Sequence, residues 1–260
     1  AGAVAQALGA QPLKPERSRN LSLGLTAQPG PGWSVSVDAY RIDVDDRITL
    51  SERFGGAALT SFLQARFGLS GVDKVNFFTN AVDTRTHGAD LVANWRGRAA
   101  DGALTLSAAV SASHTEIRRT QGLPAELAAL GVSGALLGLE ESNTLTSAAP
   151  AQRHVLSASW SGAAFGGLVR ATRHGKTTRV FDFGDSTPTQ TYPAVWQLDL
   201  EAEWRPAPPW TVVLGGTNVT DRYPARSRDE IAFFGNLPYD VLSPVGFNGA
   251  FWYARLRYSF

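Results

Sequence analysis

The chain contains no cysteine and no methionine. The first absence removes disulfides, thiolate metal ligands and cysteine nucleophiles together. The second predicts that Ala1 follows a processing site or an internal junction, because no initiator residue stands there. The opening "AGAVAQALGA" lacks a basic n-region and an extended apolar core, so it does not read as a secretory signal. An excess of one charge is also lacking. The formal net charge of +1 gives no electrostatic case for nucleic acid as a partner. No stretch approaches the ~20 apolar residues of a membrane helix, a test that is blind to membrane strands. Catalytic signatures are missing as well: there is no G-x-S-x-G elbow, no H-E-x-x-H pair and no Walker loop. His87, His114, His154 and His174 are scattered without ligand spacing and read as polar interface residues, so no metal or cofactor is expected. "DVDDR" (43–47) has calcium-loop carboxylates without the loop's glycine and closing glutamate, and reads as a carboxylate cluster on the polar side of a strand near its end. The chain is not expected to be an enzyme.

What is present is alternation. Hydrophobic residues make up 43% and charged residues 18%, a composition that supports folding rather than disorder. "VWQLDLEAEWR" sets Trp196, Leu198, Leu200, Ala202 and Trp204 against Gln197, Asp199, Glu201, Glu203 and Arg205. "NLSLGLTA", "WSVSVDA", "GADLVANWR", "ALTLSAAVSASH" and "VLSASW" repeat the pattern. Period two with one apolar and one charged face predicts strands whose sides meet unlike solvents. About nine are expected, over 17–28, 33–50, 73–97, 103–118, 151–161, 165–181, 190–205, 209–221 and 247–260. Several reach the ~9–11 residues that a tilted strand needs to cross a bilayer. The fold class expected is all-β, an antiparallel up-and-down transmembrane barrel segment, with one short helix at 124–130.

The connections alternate between short and long. "QPGPG", "RGRAADG", "SGAA" and "RPAPP" are short and rich in turn residues; 51–72, 119–149, 182–189 and 222–246 are long. All short turns therefore lie at one end of the sheet. Trp33, Trp95, Trp160, Phe165, Trp204 and Trp210 flank those turns and read as an aromatic belt at a membrane interface, with Trp196 and Trp252 outside it. A soluble β-sandwich is the alternative, and it would concentrate its aromatics at mid-strand.

The last residues, "YARLRYSF", resemble the C-terminal signature of bacterial outer-membrane barrels, which ends on phenylalanine after alternating apolar residues. More specifically, the chain resembles the C-terminal part of a TonB-dependent outer-membrane receptor. "LKPERSRNLSLGL" (13–25) is similar to that family's Leu-x-Pro-Glu-x-Ser segment, and "VNFFTNAVDTRTHGADL" (75–91) to its Asn…Gly-x-(Asp/Glu)-Leu strand. "GGTNVTDRYP" (215–224) resembles its Gly-x-x-Asn-(Leu/Val)-x-Asp-x-x-Tyr segment, and "SPVGFNGAFWYARLRYSF" (243–260) its last strand. One departure is Gly249-Ala250, where the family often has Gly-Arg.

The resemblance implies that residues 1–260 are part of a 22-stranded barrel. Its plug domain and earlier strands are not in this sequence, and the sheet here is expected to be an incomplete, open barrel. Trp252, Leu256, Tyr258 and Phe260 would face lipid as the signal read by the barrel assembly machinery. The implied location is the cell outer membrane, and the implied activity is uptake of a scarce solute, such as a ferric siderophore or other metal chelate. Energy would come from the TonB complex acting through the absent plug. Among the long loops, Arg226, Arg228, Phe233, Phe234 and Tyr239 are candidates for ligand contact, the rings for stacking and the arginines for an anionic ligand. A passive porin-like channel remains the alternative to active uptake.

Overall fold

The computed structural model describes residues 2–232 and 237–259. Its elements in chain order are α1 (Ala3–Ala7), β1 (Arg17–Ala27), β2 (Trp33–Leu50), β3 (Phe54–Gly55), α2 (Ala57–Phe67), β4 (Lys74–Val75), β5 (Phe78–Ala99), β6 (Gly102–Thr120), α3 (Ala125–Ala129), α4 (Leu139–Thr146), β7 (Gln152–Ser161), β8 (Phe165–His174), β9 (Thr177–Val180), β10 (Thr189–Tyr192), β11 (Val195–Trp204), β12 (Trp210–Thr217) and β13 (Phe251–Tyr258). Nine of them form one sheet in the order β1-β2-β5-β6-β7-β8-β11-β12-β13, each antiparallel to its neighbours. The sheet does not close on itself, and β1 and β13 are its edges. These are the nine expected strands, several of them trimmed. The expected 165–181 strand stops at His174 and the expected 190–205 strand starts at Val195. The intervening residues pair separately as the β9–β10 hairpin. Pro193 lies between the two systems and has no N–H to continue a ladder.

The register assigns every strand residue to a face. Trp33 pairs with Trp95, Val37 with Leu91, Leu91 with Val110 and Leu200 with Val169. The apolar halves of all nine strands therefore share one side. That side is uncovered: Leu21, Leu23, Leu25, Leu214, Trp252 and Leu256 are all at least 60% exposed. Among the described residues no second sheet lies over it, as the β-sandwich alternative would require. Leaving one such leucine in water rather than burying it costs about 1.5–3 kcal/mol, so a whole face of them requires an apolar covering. The opposite face carries Ser107, Ser157, Arg170 and Asp199 in successive register positions.

The buried core lies elsewhere. Leu8, Leu59, Leu63 and Leu127 are fully buried, and Phe54, Phe77, Val82 and Leu136 pack with them. They come from the end of α1, from β3, α2 and α3, from the connection after α3 and from the start of β5, so the N-terminal segment and the long connections fold into a cap at one end of the sheet. Two of these helices, α1 and α2, were not expected from the sequence. In α2, Leu59 and Leu63 stand one turn apart on the buried side, and Gly68 ends the helix at φ 66°, a left-handed position suited to glycine. The chain is tied back to the sheet just before β1. Lys14 N–H donates to Asn80 Oδ1 at 2.8 Å, and Asn80 Nδ2 donates back to Lys14 O at 2.9 Å. Glu16 accepts from Ile48 N–H at 2.6 Å.

Candidate functional site

At the capped end, residues 226–228 and 240 of the connection between β12 and β13 pack against the β9–β10 hairpin. Gln190 Nε2 donates to Arg226 O at 2.9 Å, and Arg228 N–H donates to Gln190 Oε1 at 2.9 Å. The hydroxyls of Tyr192 and Ser227 are 2.8 Å apart. Burial pushes the Tyr192 phenol above its ordinary pKa, an effect that the Ser227 contact opposes. Below them Arg179 and Asp240 form an ion pair with Nε–Oδ2 at 3.1 Å, both side chains nearly sealed from water at 6% and 5% exposure. The alignment is not that of a hydrogen bond, so charge attraction holds the contact. Asn143 on α4 completes the join by donating to Thr178 O at 2.7 Å and accepting from Val180 N–H at 3.0 Å. The three connections thus form one connected surface. Removing one partner of so buried a pair would strand the other charge.

On this surface Tyr239 is stacked between two rings. Tyr223 lies 6.2 Å away at 22° and Phe247 lies 6.1 Å away at 8°. Tyr223 and Phe247 are each more than 40% exposed, so the stack presents open ring area. Arg226 bridges to Tyr239 through the backbone and its side chain is exposed. Arg228 is otherwise engaged: it pairs with Glu230 at 2.8 Å and donates to Thr189 O at 2.7 Å. The structure therefore brings Arg226 and Tyr239 together and spends Arg228 on its neighbours. Phe233 and Phe234 lie outside the described residues. Sequence reading missed Tyr223 and Phe247 as stack members, although both sit in the segments that carry the family resemblance.

Those segments have a structural reading. In "TNVTDRYP", Asn218 adopts φ 51° and its side chain accepts from Arg222 N–H at 3.0 Å and donates to Arg222 O at 2.7 Å. Asp199 accepts from Asn218 N–H at 2.9 Å, and Asp221 accepts from Ala250 N–H at 2.9 Å. The motif thus fixes the exit of β12 to the entry of β13. On the polar face, Tyr253 donates to Glu201 at 2.7 Å and Arg255 pairs with the same carboxylate. The "DVDDR" cluster is not on that face, contrary to expectation. Asp43 lies opposite Arg85 on the apolar side beyond its hydrophobic stretch, paired with Arg85 at 2.6 Å and Arg41 at 2.9 Å, and Asp45 pairs with Arg19. A register shift between Val44 and Arg47 leaves Asp46 at φ 53°, donating its N–H to Asp83. The hydrogen-bonded guanidinium of Arg119 holds the Asp83 carboxyl below its usual range.

At the short-turn end, Trp33 pairs with Trp95, Phe165 with Trp204, and Trp210 with Tyr258, all on the apolar face. Trp210 and Tyr258 meet edge to face at 4.8 Å. Trp160 Nε1 donates to Ala99 O at 2.7 Å. Trp252, Leu256 and Tyr258 are on this face and exposed, while Phe260 lies outside the described residues. His87 and His114 are cross-strand partners at the other end of the face, with ring centroids 5.4 Å apart. Among the described residues no group of three His, Asp or Glu is placed to hold a metal.

Residues 1–219 match the family model described as "TonB dependent receptor-like, beta-barrel". No curated protein matches the chain. Solved structures do, at low identity. The FrpB iron transporter from Neisseria meningitidis (F3-3 variant) is 17% identical with a TM-score of 0.57, covering 83% of this chain and 29% of that one. The copper transporter OprC is 14% identical with a TM-score of 0.58, covering 96% and 32%. The pyoverdine receptor FpvA from Pseudomonas aeruginosa PAO1 is 13% identical with a TM-score of 0.59, covering 95% and 30%. The chain thus spans about a third or less of the structures it matches, and at these identities the likeness speaks for the fold. With the family model covering most of the sequence, the chain belongs to the TonB-dependent receptor-like β-barrel family.

Proposed function

We propose that this chain is the C-terminal barrel portion of an outer-membrane receptor that imports a scarce solute, such as a metal chelate, with energy delivered by TonB. The observation that carries this is the nine-strand sheet with one uncovered apolar face, joined to a cap of long connections that presents aromatic rings. In this reading the apolar face meets lipid and the polar face lines a lumen. The short turns are periplasmic and the cap is external. Trp33, Trp95, Trp160, Phe165, Trp204 and Trp210 settle at the inner headgroup level, where amphipathic rings are favoured. Trp252, Leu256, Tyr258 and Phe260 serve as the assembly signal. TonB would act through a plug domain elsewhere in the parent protein. The ring stack of Tyr223, Tyr239 and Phe247 is suited to a flat ligand, and the exposed Arg226, whose backbone bridges to Tyr239, would favour an anionic one.

The test is uptake of a radiolabelled ferric chelate by cells carrying the full-length parent as their only receptor. Saturable uptake that disappears when TonB is deleted is expected. Uptake that is linear in concentration and indifferent to TonB would mean a passive channel. In the same cells Tyr223→Ala with Tyr239→Ala should weaken chelate binding by about tenfold, since each ring pair contributes about 0.5–1.5 kcal/mol, with unchanged insertion in the membrane. Undiminished affinity would remove the stack from the binding site.

A further inference from the structure

On the apolar face, above the hydrophobic stretch, lies a band of cations whose partners differ from strand to strand. Across β1, β2, β5 and β6 the arginines are matched, apart from Arg17 at the sheet edge: Arg19 by Asp45, Arg41 and Arg85 by Asp43, and Arg118 by Glu116. Across β7 and β8 they are not. His154, Arg173 and Trp196 occupy one cross-strand row. Arg173 also lines a cavity of about 500 Å³ together with Gln152, Lys176 and Thr191. No carboxylate lines that cavity. Neither Arg173 nor Lys176 makes an ion pair with any described residue.

The position of this site is set by the tryptophan beside it. Trp196 and Trp204 lie on the same face of β11 about eight residues apart. At ~3.4 Å per residue the separation is roughly 27 Å along the strand, or about 20 Å along the membrane normal for a strand tilted by about 40°. That is near the height of the apolar band of a membrane barrel, so Trp196 and Arg173 stand at the opposite headgroup level from Trp204. Below Arg173 the apolar face is unusually low. Val169, Gly167 and Ala202 floor a trough of about 960 Å³ between Trp160 and Trp252.

We propose that Arg173 and Lys176, with His154 and Gln152 beside them, hold the phosphate of an outer-leaflet lipid whose acyl chains lie in the trough beneath. The proposal rests on the membrane reading of the apolar face. An uncompensated cation pair attracts a phosphate, and the trough supplies the apolar continuation that a free anion would not use. On this face of β1 to β6 only Arg17, at the edge of the sheet, is without an ion pair among the described residues, so away from that edge binding is local to β7 and β8.

The test titrates dioctanoyl phosphatidic acid into the detergent-purified full-length parent and reads binding by native mass spectrometry. Arg173→Gln with Lys176→Gln should weaken binding roughly thirtyfold, corresponding to about 1 kcal/mol for each cation removed. Arg170→Gln, on the same strand but the opposite face, should leave it unchanged. Arg173→Lys keeps the charge and should retain most of the binding, which guards against a misfolded double variant. Equal binding by the parent and the double variant would overturn the proposal. So would inorganic phosphate or dioctanoyl phosphatidylcholine binding as tightly as the phosphatidic acid. Chelate uptake separates the two readings: a parent protein that binds no phosphatidic acid but takes up chelate through TonB ends this proposal alone, and a parent that binds the lipid but takes up chelate without TonB ends the transport reading alone.

Discussion

Tyr253 reaches Glu201 across an intervening strand, and it does so because the residue between them has no side chain. Gly215 on β12 is the register partner of both Glu201 on β11 and Tyr253 on β13. A Cβ placed on Gly215 would meet the Tyr253 ring at 2.3 Å and its hydroxyl at 2.4 Å. The tyrosine therefore lies flat over the glycine and donates to the carboxylate beyond. Gly215→Ala should push the ring away and cost about 1–3 kcal/mol, the usual range for overpacking. In a Tyr253→Ala background the same change should be nearly neutral, because nothing remains to displace. Thermal unfolding of the four detergent-solubilised parent proteins measures this coupling, and additive losses would show that the ring does not depend on the glycine. The sequence exposed half of this relation. Alternation in the sequence puts Glu201 opposite in face to Leu200, and Tyr253 and Arg255 opposite in face to Trp252 and Leu256, but their register across β12 is set by loop lengths that no local pattern encodes.

Among the elements, the strands were legible and the helices mostly were not. A strand in contact with two solvents must alternate, so Trp196–Trp204 announces itself. The helices sit inside long connections and bury only a few residues each. In α2 the signal was present in Leu59 and Leu63, four residues apart, yet "GGAALTSFLQARFG" is flanked by glycines and reads as a loop. The expected helix at 124–130 was found as α3, where Pro124 stands at the N-cap and fixes the start. Stability should divide along the same line. The sheet is held by its ladder, the cap by a small cluster of leucines. Leu63→Ala should cost the cap about 2–5 kcal/mol through the cavity it leaves. The sheet should barely notice, since α2 is no part of it. Brief trypsin treatment of intact cells should then nick the variant after Arg53 or Arg66 faster than the parent, with the same amount of barrel in the membrane. Equal nicking would mean that Leu63 does not hold the cap closed.

For the whole molecule, the sheet's two faces and two ends specify a depth for every residue on the apolar side. Trp204 lies in the row of Phe165 at the short-turn end. On β13 Trp252 stands six residues from Tyr258, the partner of the belt residue Trp210. At ~3.4 Å per residue and a tilt of about 40° that is roughly 16 Å along the membrane normal, so Trp252 belongs inside the apolar band, as its exclusion from the belt at the sequence level already indicated. This ordering is a property of the register and of nothing local, since both residues are exposed tryptophans on amphipathic strands. It can be measured with the parent protein in bilayers of brominated lipid, in variants that keep one tryptophan and replace the others by phenylalanine. With Trp204 alone, bromines near the headgroup should quench more strongly than bromines near the chain ends. With Trp252 alone, the order should reverse. If both tryptophans prefer the shallow bromines, the apolar face does not cross the bilayer. If both prefer the deep ones, the aromatic belt does not sit at an interface, and the membrane boundaries inferred from it are wrong.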